Sequence, residues 1–486
     1  MTPALFPHES HPPAASVGSG SKPTRHGRSV PGNAWDLLDG VQPDTPPRVS
    51  VVVVHYDQQR ELNRTLRALA RQTLPALEVI VVDDGSPSAP RVPEGVRLLV
   101  LPDRGFRAAA ARNAGAAAAS GDVLCFLDAD TAPEPEYLER LSRLPALCPE
   151  AVTVGRRRHA AFDDAEAEAG TGAADPVEPV EVAGPRTELP EPAWLRNAYA
   201  ASRDLLDADQ HSYRFMIGAV LACSRGFFGE TGGFDERFDR YGGEDWEWAH
   251  RAWTEGAVFA HVPEAVAWHD GPDLAGRARG RDDLLRRKNA EALVLFDRIG
   301  LRGNGGATPG LRSAALDVVA ELPPGAVAAT FVCTDVLLEA LPGARVVVDD
   351  DLAAALPADE RIVARSRGVA LLAAARTTIV VDALFTVPRE HRGAFGTTLR
   401  SAVEQIGVGT LGWIELTAQH QVTEPAALAH GTPAPAQVLR LGAHRAERRR
   451  ERHPADHGFR TEPLTAPMRV LDSEPDLEAH LAGWAG

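Results

Sequence analysis

Apolar and polar positions change their rhythm abruptly along this chain. Up to about residue 47, Pro, Ser, Gly and His dominate without apolar periodicity, which predicts a disordered arm over residues 1–47. Then "RVSVVVVHYD" sets a continuous β-branched run, as expected of a strand covered on both faces of a parallel sheet. "QRELNRTLRALARQ" follows with Leu62, Leu66 and Leu69 at helical spacing, and "LEVIVVDDGS" returns to a buried strand ending in acids and a turn. "VRLLVL" reads as a third strand, "RAAAARNAGAAAAS" as an Ala-rich helix and "DVLCFLDAD" as a fourth strand. This alternation implies right-handed βαβ crossovers and a doubly wound sheet, which takes its ligands beyond the carboxyl ends of the strands.

Residues 160–192 are acidic and Pro-rich and read as a mobile insertion within a domain spanning 48–300. "GLRGNGGATPG" reads as a linker, placed at 301–310. The remainder, 311–486, has renewed α/β character, with "VAATFVC", "ARVVVDDD" and "TTIVVDALF" expected as strands of a second C-terminal α/β domain in which no site is legible. The basic run "RLGAHRAERRRERHP" reads either as an exposed helix face or as a surface for an acidic partner or peripheral membrane contact.

Composition narrows the picture further. A chain of 486 residues outgrows a single core, so two domains are expected. The formal charge of -16 argues against a nucleic-acid binder, although one site in an acidic protein can still be locally positive. Cys125, Cys148, Cys223 and Cys333 are far apart and form no CxxC pair, so neither a zinc site nor a disulfide framework is suggested. No apolar run approaches the roughly 20 residues that span a bilayer, and the polar start lacks a signal-peptide core. The expectation is a cytoplasmic protein without a transmembrane segment.

Candidate chemistry gathers at the strand ends. They carry His55, Tyr56 and Asp57, then Asp83 and Asp84, then Asp128 and Asp130. In "FLDAD" the strand period of two sends Asp128 and Asp130 to one side, where two hard carboxylates suit Mg2+ or Mn2+. A lone DxD is more often an acidic turn; this one ends a buried strand beside two other acid-bearing strands. Asp84 is suited to accept a pyrimidine N–H, or else it simply forms a turn with Asp83. Arg107 and Arg112 are candidates for nucleotide phosphates or for holding the strand-end acids, with a solvated helix face as the plainer reading. In "YGGEDWEWAHRAWTEG" a Gly pair precedes Glu244 and Asp245 in the first turn of a helix closing near Gly256. Trp246, Ala249 and Trp253 share its packed face. The positive end of the dipole favours ionised acids there, which suits a proton acceptor and equally suits a plain helix cap. His269, after "VAW", is a candidate third metal ligand with Asp128 and Asp130.

Five stretches in order, "VSVVVVHYDQQREL", "VIVVDDGS", "GFRAAAARN", "FLDAD" and "GGFDERFDRYGGEDWEW", resemble the inverting family 2 glycosyltransferases of GT-A fold. Within that family the likeness is to the branch whose second half is shared with galactosyl- and N-acetylgalactosaminyltransferases. The resemblance implies a GT-A type doubly wound nucleotide-binding domain over 48–300. It also implies a nucleoside contacted by His55, Tyr56, Asp57 and Asp84, and a divalent metal, Mn2+ or Mg2+, held with the donor diphosphate by Asp128, Asp130 and His269. Asp245 is then the general base, Glu244 an acceptor or donor-sugar contact, and Tyr241, Gly243 and Trp246 the acceptor wall. The implied reaction moves a hexose or N-acetylhexosamine from a nucleotide diphosphate sugar, with UDP the expected nucleotide, to a saccharide, small-molecule or peptide hydroxyl.

The chain also departs from the pattern. Val54, His55, Tyr56 and Asp57 stand where Pro-Thr-Tyr-Asn is common, and Tyr241 stands where many relatives of this branch carry Trp. Retaining relatives carry Asn after Glu, whereas Asp245 supplies a basic carboxylate, which favours inversion. The QxxRW motif of processive synthases is absent, which implies transfer of one or a few sugars. Two other readings stand beside this one: a nucleotidyltransferase, which would want a Gly- and basic-rich loop where "HYDQQREL" stands, and a non-catalytic sugar-nucleotide-binding or scaffold protein.

Overall fold

The computed structural model describes residues 27–162, 186–239, 242–272, 281–300, 317–418 and 437–482. These fall into two compact units, one ending at residue 300 and one beginning at residue 317.

The first unit is built on a mixed sheet. Strands β1 (Val49–His55), β2 (Glu78–Asp83), β3 (Arg97–Val100) and β4 (Val123–Asp128) are parallel, with helices α1 (Gln59–Leu69) and α2 (Ala108–Ala118) in the crossovers. Then come β5 (Thr131–Pro133), α3 (Tyr137–Leu147), β6 (Ala151–Phe162), β7 (Arg186–Leu189), α4 (Ala193–Ala201), β8 (Val220–Ser224), α5 (Arg225–Glu230), α6 (Glu244–Thr254), β9 (Val258–Asp270) and α7 (Arg281–Ile299). The strand order is β3-β2-β1-β4-β8-β6-β9-β5, with β7 paired on β6. The order reverses at β1, because β2 and β3 lie to one side of it and β4 to the other. Such a switch point opens a crevice at the strands' carboxyl ends.

The β-branched run of β1 is buried on both faces, as its continuous apolar pattern predicts. Against it lies α2, whose small residues allow a close approach: a Cβ at Gly115 would sit 2.3 Å from Cγ1 of Val52. That closeness carries Arg112, on the same helix, to the strand ends.

Two expectations are corrected here. Residues 27–47, read as part of a disordered arm, are packed on the domain. Val30 and Leu38 join a small core with Leu144, Leu147 and Val258, and the amide of Asn33 donates to the carbonyls of Leu205 and Phe259 and accepts from the Phe259 N–H. Apolar periodicity missed this segment because one buried amide and two apolar anchors hold it. The residues at either end of the 160–192 insertion belong to a hairpin, β6 with β7. Residues 163–185 between them, and the linker at 301–310, lie outside the described residues.

The second unit is also doubly wound. Its strands are β10 (Val318–Glu321), β11 (Arg345–Val348), β12 (Ile362–Ala364), β13 (Thr377–Val381), β14 (Phe385–Thr386), β15 (Leu411–Ala418), β16 (Gln437–Ala443), β17 (Arg460–Ala466) and β18 (Arg469–Val470). Its helices are α8 (Val327–Ala340), α9 (Asp350–Ala355), α10 (Arg365–Ala374), α11 (Arg392–Gln405), α12 (His444–Arg452) and α13 (Leu477–Ala482). The main sheet runs β12-β11-β10-β13-β16-β15-β17 and reverses at β10. "VAATFVC", expected as a strand, lies in α8. That helix is apolar nearly all round and ten of its residues are buried, so its pattern carries no helical stripe to distinguish it from a strand. The basic run forms α12, and rather than presenting only a solvated face it buries Arg445 and Arg449. All four cysteines are buried free thiols, and no helix among the described residues is long and apolar enough to cross a membrane.

Candidate active site

Sheet register assembles the first unit's acids. His55 pairs with Asp83 across β1 and β2, Val54 pairs with Asp128 across β1 and β4, and Thr131 pairs with His269 across β5 and β9. Strand-end residues far apart in sequence therefore meet at one rim.

His55 faces inward. Its Nδ1 lies 2.8 Å from Asp83, and its Nε2 accepts the Gln58 N–H at 3.1 Å. Asp83 also accepts the Ser86 hydroxyl and backbone N–H. With both ring nitrogens engaged and the ring buried, His55 shapes the turn instead of touching a nucleoside. Asp57 at the tip of that turn has φ +49°, and its N–H donates to Ser86 Oγ at 2.8 Å. Tyr56 is exposed beside it. Asp84 behaves differently. One carboxylate oxygen accepts the Arg107 N–H at 2.7 Å, while Oδ1 is buried without a hydrogen-bond partner. Burial raises the Asp84 carboxyl above its ordinary range, against the Arg107 N–H. The Arg107 side chain itself reaches Glu236 at the surface, at 3.4 Å.

Arg112 is the centre of the site. Only 4% exposed, it donates from Nη1 to Glu244 Oε1 at 2.7 Å and from Nη2 to Asp128 Oδ1 at 3.0 Å. One guanidinium thus ties the first acid of "FLDAD" to the first acid of "GGEDWEW". Arg112 is therefore a buried holder of strand-end acids and not a solvated face residue.

Asp245 follows Glu244 in the first turn of α6. Its Oδ2 accepts the Gly218 N–H at 3.0 Å and its Oδ1 the Trp246 N–H at 2.8 Å. Gly218 is wedged between the charges: a Cβ there would lie 3.1 Å from Arg112 Cζ and 3.2 Å from Asp245 Cβ. The helix terminus was expected to keep this acid ionised; instead burial, then the charge of Glu244, pushes Asp245 up to about 7. Desolvation outweighs the helix dipole and the two N–H donors, and the result suits a base working near neutrality. Gly243 caps α6 at φ +95°, where a Cβ would strain the backbone and meet Phe238 at 2.9 Å. Trp246 is partly buried, edge-on to Tyr213 with centroids 6.4 Å apart. On α6 the fully packed aromatics are Trp248 and Trp253, whereas Trp246, expected on the packed face with Ala249 and Trp253, is only partly buried. Tyr241 lies outside the described residues.

The metal expectation fits in part. His269 Nδ1 lies 3.1 Å from the Gly271 carbonyl, which only accepts, so Nδ1 carries a hydrogen, and Nε2 faces Asp130 Oδ2, 3.4 Å away. Imidazole and carboxylate oriented in this way suit a divalent cation. Asp128, expected as a ligand beside Asp130, gives Oδ1 to Arg112 instead, and among the described residues no three His, Cys, Asp or Glu side chains converge as a metal cage. The residues present fit a cation held chiefly by Asp130 and His269.

Sequence reasoning missed Glu291 and Gly218. Glu291 on α7 packs its carboxyl onto Gly242, and is pushed up to about 7 by burial and by the charges of Asp245 and Glu244.

The chain is similar in sequence to known glycosyltransferases. Residues 50–175 match the model for glycosyl transferase family 2, and residues 202–267 match the model described as the N-terminal domain of galactosyltransferase. The chain is 30% identical over 264 residues to a chondroitin synthase of Escherichia coli, a stretch covering 49% of this chain and 38% of that protein. It is 30% identical over 231 residues to validoxylamine A glucosyltransferase of Streptomyces hygroscopicus subsp. jinggangensis, covering 43% and 52% respectively. The chain thus spans about half or less of the length of these relatives. A solved structure of GalNAc-T7 with UDP, GalNAc and Mn2+ aligns over 61% of this chain and 65% of its own at 18% identity and a TM-score of 0.34.

Proposed function

We propose, on the premise that residues 50–175 belong to glycosyl transferase family 2, that this protein transfers a hexose or N-acetylhexosamine from a nucleotide diphosphate sugar to an acceptor hydroxyl with inversion. The observation that carries the reading is the bridge made by Arg112 between Asp128 and Glu244, because it brings the donor-side acid and the acceptor-side acids to one rim.

The chain's own residues have distinct parts. Asp245 takes the acceptor proton as the hydroxyl oxygen attacks the anomeric carbon, and its basicity near neutrality supports that role. Arg112 holds Glu244 and Asp128 in register, so the two substrates meet at fixed geometry. UDP is the nucleotide favoured, because the unpartnered Oδ1 of Asp84 is an acceptor suited to a uracil N–H. Tyr56 and Asp57, exposed at the tip of the neighbouring turn, complete the nucleoside contacts, and Trp246 offers an apolar wall to the acceptor. Mn2+ or Mg2+ at Asp130 and His269 supplies Lewis-acid stabilisation for the departing diphosphate when bound. Transfer is non-processive.

The test is a panel of UDP-sugars incubated with Mn2+, following UDP release with and without cell extract as a source of acceptor. Metal-dependent release that disappears in Asp245→Asn is expected. Tight UDP binding with no release under any condition would replace the enzyme with a sugar-nucleotide-binding protein.

A further inference from the structure

Strand β6 carries three arginines in a row, and their surroundings differ. Arg156 and Arg158 both pair with Glu191, at 2.9 Å and 3.4 Å, and Arg158 also meets Glu188 and lies over the Trp268 ring at 4.3 Å. Arg157 between them, partly buried, has neither a hydrogen bond nor an ion pair among the described residues, and its Nε is buried without a partner. A guanidinium held partly out of water without a counter-charge costs stability, and a bound anion would offset that cost. Its place follows from sheet register. Trp268 and Ala160 form a small core with Ala68 of α1 on one face of the β6–β9 pair. Strand alternation sends Arg157 and His159 to the opposite face, where the His159 ring lies 4.9 Å from that of His269. Toward the start of the strand, Val154 pairs with His261, on which the Tyr199 ring of α4 stacks at 3.6 Å. Tyr199 donates to the Phe215 carbonyl at 2.6 Å, in the loop whose Gly218 N–H serves Asp245. Burial raises the Tyr199 phenol and the Arg157 charge opposes that rise, in keeping with a guanidinium on this side of the sheet. Arg157 thus stands along β6 between the metal pair and the loop that serves the base. The acids of the rim are already engaged: Arg112 holds Asp128 and Glu244, His269 faces Asp130, and Asp245 accepts two N–H groups.

We propose that Arg157 is a specificity-determining residue that receives an oxyanion, carboxylate or phosphate, carried by the acceptor, so that the acceptor is an acidic saccharide. The inference rests on the transferase reading above and goes beyond it by giving the acceptor a charge. The fork of a guanidinium matches either oxyanion with two parallel hydrogen bonds, and such a pair supplies the counter-charge that Arg157 lacks in the chain itself. The donor diphosphate is the other anion of the reaction, but it goes with the cation at Asp130 and His269. Arg157 lies two residues before His159, toward the Tyr199 end of β6 and so toward the side from which the acceptor loses its proton. No covalent step is added; the proton still passes from acceptor hydroxyl to Asp245.

The experiment compares the native protein with Arg157→Met, which removes the charge, and Arg157→Lys, which keeps the charge without the fork. The probes are methyl β-glucoside, methyl β-glucuronide and the 6-phosphate of methyl β-glucoside. Each is titrated by ligand-observed NMR in the presence of UDP and Mn2+, and each is tried as acceptor with UDP-N-acetylgalactosamine and UDP-glucose. The native protein is expected to prefer a charged probe over the glucoside by roughly tenfold to a hundredfold, the worth of hydrogen bonds to a charged group. Whether the glucuronide or the 6-phosphate gains more tells carboxylate from phosphate. The preference should vanish in Arg157→Met and persist in part in Arg157→Lys. The thermal midpoint of Arg157→Met should be no lower than that of the native protein, whereas removing a merely structural guanidinium would lower it. Equal binding of charged and neutral probes by the native protein, or the same preference in Arg157→Met, overturns the proposal. A matching fall of Mn2+-dependent UDP affinity in Arg157→Met overturns it too, by giving the arginine to the donor diphosphate. So does a preference for UDP-glucuronate over UDP-glucose that Arg157→Met loses, which puts the anion on the donor sugar. Charge-selective binding at Arg157 without transfer from any donor overturns the transferase reading and leaves the anion site standing.

Discussion

The two units of this chain share one plan and put opposite things at the same place in it. Each is doubly wound, with four parallel strands whose order reverses at the first, β1 in one and β10 in the other. In the first unit the strand ends carry carboxylates with room for a ligand: Asp128 is about one-third exposed, and Asp84 keeps a buried oxygen without a partner. In the second unit the same position is filled by the protein. Arg365, just beyond β12, ion-pairs with Glu321 at the end of β10 and with Asp349 beyond β11 at 2.7 Å, and donates to the Leu322 carbonyl at 2.7 Å. After β10 the turn is closed as well, since a Cβ at Gly325 would meet Leu384 at 2.3 Å. A shared topology thus provides a crevice in both, and side chains decide whether it stays open.

The contrast is broken most severely at the base. Asp245→Asn is expected to lower UDP release roughly a thousandfold, within the range general-base catalysis supplies, while isothermal titration finds UDP affinity nearly unchanged. A comparable loss in Asn variants of Glu321 or Asp349 would move the chemistry to the other crevice. Next comes Arg112→Met. Breaking a buried pair strands its partners, so about 3 kcal/mol or more of stability should be lost in urea unfolding; unchanged stability would mean that Arg112 does not hold the rim together.

Asp130→Ala should slow release about a hundredfold, or about 2.7 kcal/mol of barrier, and weaken Mn2+-dependent UDP binding. Unaltered Mn2+ and UDP affinity in calorimetry would remove the metal assignment. A pH series sharpens the same point. With Asp245 raised from 3.8 to about 7, kcat/KM should climb as pH rises through about 7 and then level off. Stability runs the other way, because the folded value lies above the unfolded one: the contribution is complete below about 3.8 and is lost as pH rises through about 7. A flat rate profile from pH 5 to 8 would sink the assignment of Asp245. The smallest effect belongs to Arg365→Leu. Its ion pairs are about one-third exposed, so the expected cost is about 1 kcal/mol at most, with UDP release unaltered.

How much of this was legible depended on whether the signal was local. Strands β1, β2 and β4 announced themselves because a β-branched run buried on both faces needs no partner to be recognised. Asp128, Asp130 and His269 were likewise readable as strand-end groups, and register brought Asp130 and His269 together. Helix α8 was misread for the same reason that β1 was not: an apolar run alone does not distinguish a buried helix from a buried strand. The place of Asp245 in the first turn of α6 was legible, but not its raised basicity, since the dipole of α6 is visible in sequence and the burial that overrides it is not. Glu291 had a signal, an acid in step with Leu295 and Ile299, but its meaning depended on a turn formed elsewhere in the chain. Asn33 carried no periodic signal at all; its three hydrogen bonds exist only in the folded domain.

Gly218 gives this rim a fixed gauge. The separation between guanidinium and base is set there by a backbone with no side chain, so a single methyl group, as in Gly218→Ala, has to push one of the two aside. Evolution or an engineer can exchange acids around this edge one at a time, but the spacing between the cation and the proton acceptor has no slack to give.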